Sequence, residues 1–65
     1  MKTKGELLAI VNSNYPQLDI PRMRDIVSEH ELEGDIYSNI NMRETANNWG
    51  LTISEIYYLI DPIRR

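Results

Sequence analysis

The sequence predicts an all-α protein, a compact bundle of about four short helices in a single domain, residues 1–65. Apolar residues recur at helical spacing through most of the chain, and capping residues precede the candidate helices. A proline or glycine follows the helices that these patterns delimit. A domain of 65 residues buries only about 60% of its unfolded surface. Because the chain has no cysteine, neither disulfides nor cysteine-based metal sites add to its stability.

The first helix is predicted from about Lys4 to Asn14. Thr3 and Glu6 have the spacing of a capping box at its start. Tyr15-Pro16 ends it, because the residue before proline avoids the helical region. The apolar stripe of this helix consists of Leu7, Leu8, Ile10 and Val11.

The second helix is predicted to begin at Pro21, since proline is tolerated in the first turn, with Asp19 near enough to cap it. Arg22 and Arg24 point to other sides of this helix, where they either reach phosphates or stay in water. The inward positions are Met23, Ile26 and Val27.

The segment that follows, 32–40, contains the turn signal Gly34-Asp35. Its apolar residues, Ile36, Tyr37 and Ile40, suit either a short extended segment or one helical turn. A lone strand would have no partner, so a helical turn or ordered coil is favoured.

The third helix is predicted to start near Met42, with Asn41 as its cap and Glu44 as the capping partner. Gly50 should end it, because glycine adopts the left-handed conformation without a Cβ clash.

The fourth helix follows at once and is predicted over Ile53 to Ile60. Thr52 and Glu55 form its capping box. Asp61-Pro62 should end it and leave residues 61–65 as a short tail. Turning 100° per residue places Ile53, Ile56, Leu59 and Ile60 inward.

Two capped helices joined by one tight turn at residues 42–60 resemble the helix-turn-helix of phage repressors, Cro-like proteins and other small bacterial regulators. The other interpretation is an ordinary corner between two helices with no ligand. The resemblance rests on Ala46, Trp49, Gly50, Leu51, Ile56 and Leu59.

The resemblance implies a transcriptional regulator whose last helix enters the major groove of DNA, with a homodimer reading two half-sites. Ser54, Glu55 and Tyr58 face outward on that helix and Tyr57 lies at the border, so at least one tyrosine should be exposed. The helix has no Arg or Lys, unlike most DNA readers. The candidate residues for binding DNA or a protein partner are Thr52, Ser54, Tyr57, Tyr58, Arg43, Arg64 and Arg65.

The charge balance of the chain argues against DNA binding. Seven basic and ten acidic residues give a net charge of −3, and the isoelectric point is about 4.9. This composition favours a second hypothesis, a small phage- or plasmid-type protein that docks on a host protein such as RNA polymerase and modulates it. Part of the acidity lies in a run that is either a solvated loop or helix end, or a surface that mimics nucleic acid: Glu29, Glu31, Glu33 and Asp35.

No catalytic or cofactor-binding pattern is present. His30 stands alone, no glycine-rich phosphate loop occurs, and the acidic run lacks the ligand spacing of a calcium loop. We therefore expect no enzyme activity, no metal, no cofactor and no small-molecule substrate. No apolar stretch approaches the length of a membrane span and no convincing signal peptide occurs, so a cytoplasmic location is expected.

Overall fold

The computed structural model describes residues 2–60. Within that part of the chain lie α1 (Lys4–Asn14), α2 (Ile20–Glu31), a single 3₁₀ turn (Ile36–Ser38), α3 (Ile40–Trp49) and α4 (Ile53–Ile60). No β-strand occurs between residues 2 and 60. The predicted all-α class with about four short helices is therefore confirmed.

One apolar core joins the helices, and α4 packs against all three of the others. No polar or charged side chain is buried among the described residues, so the core is held by apolar contact alone. No helix in residues 2–60 is long and apolar enough to cross a membrane. The buried side chains are Leu7, Val11, Met23, Val27, Ile36, Met42, Ala46, Trp49, Leu51, Ile56, Leu59 and Ile60.

Side-chain caps start the first two helices as predicted. At α1 the Glu6 amide donates to Thr3 Oγ1 at 3.1 Å, and the Thr3 amide donates to Glu6 Oε1 at 2.8 Å. At α2 the Arg22 amide donates to Asp19 Oδ1 at 2.9 Å, and Pro21 lies in the first turn. Each cap satisfies backbone N–H groups that a helix start leaves unpaired.

The start of α3 corrects the prediction that Asn41 is its cap and Glu44 the capping partner. Asn39 is the cap instead, and its Oδ1 accepts from the Met42 amide at 3.0 Å. The side-chain amide of Asn39 also donates to Glu33 Oε1 at 2.7 Å, which ties the helix start to the preceding turn. Both asparagines are chemically able to cap, and Asn39 is the one that also bonds to Glu33.

The connection between α2 and α3 contains one helical turn, Ile36–Ser38, which is the second of the two conformations that the sequence left open for its apolar residues. Gly34 has φ of 123°, which permits the chain to reverse after α2. Asp35 then caps the 3₁₀ turn, accepting from the Tyr37 amide at 3.3 Å and from Ser38 Oγ at 3.0 Å. Ile36 is the residue that this turn buries.

The turn from α3 to α4 has the hydrogen bonds of a Schellman motif. Gly50 is left-handed with φ of 80°, as predicted. Its amide donates to the Asn47 carbonyl and the Leu51 amide to the Ala46 carbonyl, both at 3.1 Å. Leu51 and Ala46 are both buried, so the apolar pair common in this motif is present too. Only three residues therefore lie between the end of α3 and the start of α4.

Gly50 and Gly5 provide a matched pair of glycine-to-alanine substitutions. Gly50→Ala should lower the free energy of unfolding by about 1–2 kcal/mol or more, because alanine is strained at positive φ. A Cβ at residue 50 would also lie 3.0 Å from Ile10 Cγ2. Gly5→Ala should raise the free energy of unfolding by about 0.4–1 kcal/mol, since Gly5 is helical and uncrowded. Urea denaturation measures both, and equal effects of the two substitutions would contradict this account of the turn.

Candidate functional site

The outward face of α4 is small. Ser54 and Tyr58 are exposed, as is Thr52 just before the helix, whereas Glu55 and Tyr57 are half-buried. The remaining α4 side chains are buried or packed against the core. The predicted orientation of α4 is therefore confirmed except at Glu55, which was expected to face outward and is half-buried. Tyr58 is the tyrosine that faces solvent, with 48% of its surface exposed.

The start of α4 is held by the capping box that the sequence predicted. The Glu55 amide donates to Thr52 Oγ1 at 3.1 Å, and the Thr52 amide donates to Glu55 Oε1 at 2.9 Å. Because both side chains serve the helix start, Glu55 has a structural role in addition to any role at a surface.

An open groove of about 910 Å³ lies between α3 and the start of α4. Arg43 lines it beside Thr52 and Ser54, so these three predicted site residues share one surface. No acidic side chain among residues 2–60 pairs with the Arg43 guanidinium. The groove is also lined by Tyr37, Ile40, Glu44, Ala46, Asn47, Leu51 and Ile53.

Two polar contacts fasten α4 to α2. The Tyr57 hydroxyl donates to Glu31 Oε2 at 2.6 Å, so this predicted site residue has a partner within the protein. Arg24 donates from Nε and Nη2 to the Ile60 carbonyl, at 2.9 and 2.7 Å. The expectation that Arg24 reaches phosphates or stays in water is therefore wrong. Its positive charge lies at the C-terminal end of a helix, where the helix dipole favours a cation.

Two lysines that the sequence interpretation did not select lie beside α4. Lys2 Nζ is 3.8 Å from Glu55 Oε2, and Lys4 Nζ is 5.3 Å from the centroid of the Tyr58 ring. The sequence pointed to these lysines only indirectly, through the apolar stripe of α1, which requires that this helix pack against another one. The stripe does not specify which helix that is, and the structure shows that α1 contacts α4.

The acidic run is hydrogen-bonded to its own chain. Glu31, Glu33 and Asp35 accept from Tyr57, Asn39 and the 3₁₀ turn respectively. These three carboxylates are exposed to solvent, and each also forms a hydrogen bond that holds a neighbouring segment or α4 in place.

Between residues 2 and 60, His30 and the acidic groups do not assemble into a metal site. The His30 ring nitrogen Nδ1 lies 2.8 Å from the Ile26 carbonyl of its own helix. No group of three or more His, Asp or Glu side chains in residues 2–60 converges in a way that could hold a metal ion.

The remaining predicted site residues, Arg64 and Arg65, lie outside the described residues, as do Asp61-Pro62 and the tail 61–65. Comparison with protein-family models, with curated proteins and with solved structures finds no match to this chain. The residues and their geometry are therefore the whole basis for a functional proposal.

Arg24→Gln should lower the free energy of unfolding by about 1 kcal/mol, because a partly exposed, charged hydrogen bond to the end of α4 is lost. Arg22→Gln is the matched control. It removes the same charge from the same helix, and the Arg22 side chain has no partner in the described structure, so its effect should stay within about 0.5 kcal/mol. Thermal unfolding of the two variants checks this, and indistinguishable losses would show that Arg24 does not stabilise α4.

Proposed function

We propose that this protein is a small helix-turn-helix transcriptional regulator that binds DNA through the outward face of α4. The observation that carries the proposal is the short connection from α3 to α4. Only three residues separate the two helices, and the first of them is the left-handed Gly50. This connection supports α4 against α3 while Thr52, Ser54 and Tyr58 stay exposed.

The exposed residues suit contact with a duplex. Thr52 and Ser54 carry hydroxyl groups that donate to phosphate oxygens or to base edges. Arg43 lines the same groove with an unpaired guanidinium in the described structure, which suits a phosphate contact. We assign phosphate contacts to Arg64 and Arg65 as well. Tyr58 takes the outward aromatic role, while Tyr57 helps to anchor α4 through Glu31.

The proposal predicts weak binding by a single copy. The net charge is −3, and phosphate neutralisation supplies a large part of the affinity of most DNA-binding proteins. A homodimer would place two α4 helices on two half-sites, so that the contacts of both copies would add to the affinity. The proposal also implies a cytoplasmic location, where bacterial DNA lies.

Titration of isotope-labelled protein with mixed-sequence duplex DNA at low salt tests the proposal. We expect amide shifts at Thr52–Tyr58 and at Arg43, which fade as salt rises because phosphate contacts release counterions. Arg43→Gln should weaken binding to all sequences and lower the salt slope by about one, whereas Arg22→Gln should leave the slope unchanged. An absence of shifts at low salt would overturn direct DNA binding.

One observation favours the alternative function of docking on a host transcription protein such as RNA polymerase. Ile40 is 78% exposed and Tyr37 is 55% exposed, and both line the groove beside Arg43. Exposed aromatic and apolar side chains next to arginine are typical of protein-binding hot spots.

Ile40→Asp distinguishes the alternative. Under the docking hypothesis it should weaken binding to purified bacterial RNA polymerase at least about tenfold, since a hot-spot side chain would be replaced by a charge. Leu32→Asp is the control, because Leu32 is 89% exposed and lies outside the groove. Surface plasmon resonance measures both, and equal affinities of the two variants would exclude the groove as the docking surface.

A further inference from the structure

Helix α4 lacks basic side chains, but two lysines from the start of the chain lie along it. We define Lys2 and Lys4 as the lysine pair. Thr3, between them, caps α1 through reciprocal bonds with Glu6, so the backbone that carries the pair is fixed at this point. The buried Leu7 holds α1 in the core that it shares with α4.

Lys2 changes the charge at the start of α4. Its Nζ lies 3.8 Å from Glu55 Oε2, with 52% of the Lys2 side chain and 32% of the Glu55 side chain exposed. Glu55 is the only acidic residue of α4, and it would otherwise repel a phosphate that approaches Ser54. An exposed pair of this kind adds little stability, so its main effect is on the local electrostatic field.

Lys4 adds a positive charge that no carboxylate in the described part of the chain offsets. Its Nζ lies 5.3 Å from the centroid of the Tyr58 ring, within the range of a cation–π contact. No hydrogen bond or ion pair engages this ammonium group among residues 2–60. A ring contact restricts the position of the ammonium group and leaves its N–H groups able to donate to an anion.

The lysine pair and Arg43 lie on two sides of the outward face of α4. Ser54 lines the large groove together with Arg43, and it also lines a smaller pocket of about 170 Å³ together with Lys2, Glu55 and Tyr58. The exposed edge of α4 therefore separates the two basic regions. A helix that lies in the major groove has a phosphate backbone on each side, which this arrangement suits.

We propose that Lys2 and Lys4 supply the positive charge that α4 itself lacks for binding the DNA backbone, on the side of α4 away from Arg43. This inference rests on the proposed function, because it assigns the lysine pair to the same DNA-binding surface. Lys2 offsets the Glu55 carboxylate, and Lys4, placed by the Tyr58 ring, donates to a phosphate oxygen.

Fluorescence anisotropy of a labelled mixed-sequence duplex, measured over a series of salt concentrations, tests the inference on the full chain. The variants are Lys4→Gln, Lys4→Arg, Lys2→Gln and Arg43→Gln. Arg22→Gln is the control, because it makes the same charge change at a side chain that has no hydrogen bond, ion pair or ring contact with α4 in the described structure and lines neither the groove nor the smaller pocket. Thermal unfolding of each variant shows whether it is folded under the conditions used.

Lys4→Gln should lower the salt slope by about 0.9, so the ratio of wild-type to variant affinity should shrink by about 3.5-fold between about 50 and about 200 mM salt. Lys4→Arg should keep the wild-type slope, because arginine retains both the charge and the ring contact. Lys2→Gln should weaken binding at low salt, since the negative charge of Glu55 is no longer offset by a nearby ammonium group.

The outcomes separate this inference from the proposed function. If the wild type binds and Arg43→Gln weakens binding, but both Lys4→Gln and Lys2→Gln behave like Arg22→Gln, the lysine pair does not contribute to DNA binding and only this inference is overturned. If the wild type does not bind at the lowest salt concentration, the proposed function is overturned and the lysine pair with it. Should Lys4→Gln fail to fold, Lys2→Gln decides the matter, and unchanged binding by that variant overturns the inference.

Discussion

The burial of α4 against the other three helices is the interaction on which the structure of this small domain depends. Ile56, Leu59 and Ile60 are buried from this one short helix, and it contacts α1, α2 and α3. A chain of 65 residues has little apolar surface to bury, so each of these contacts is a large part of its stability. The same helix provides the candidate binding face. The eight residues of α4 must therefore provide both the apolar side chains that pack in the core and the exposed side chains of the candidate binding face.

This double requirement explains the character of the site. Because most of α4 faces the core, few positions remain that could carry a cation without disturbing the packing. The basic groups near α4 come from other elements: Arg43 from α3, and Lys2 and Lys4 from the start of the chain. Polar contacts near Ile60 have a structural purpose, since Arg24 donates to the Ile60 carbonyl and so ties α4 to α2. The surface that results combines scattered basic groups with exposed hydroxyls and Tyr58.

The sequence predicted much of the fold because the helix boundaries are set by contacts three residues apart. The capping boxes of Thr3 with Glu6 and of Thr52 with Glu55, and the left-handed Gly50, all involve near neighbours in the chain. The start of α3 was missed for a physical reason. Asn39 and Asn41 are equally able to cap, and the hydrogen bond from Asn39 to Glu33, six residues earlier, favours the first.

By itself the sequence determined the all-α class and the places where three of the four helices between residues 2 and 60 start. It also determined that Ser54 and Tyr58 face outward while Ile56 and Leu59 face the core. These properties follow from local capping and from the helical period, which need no knowledge of distant residues. Only the tertiary structure decided which elements surround α4. Lys4 meets Tyr58 across more than fifty positions, and Arg24 reaches the Ile60 carbonyl 36 residues away. An apolar stripe requires a neighbour without specifying which helix supplies it, and so the partners of α4 were fixed by how the helices fill one shared core.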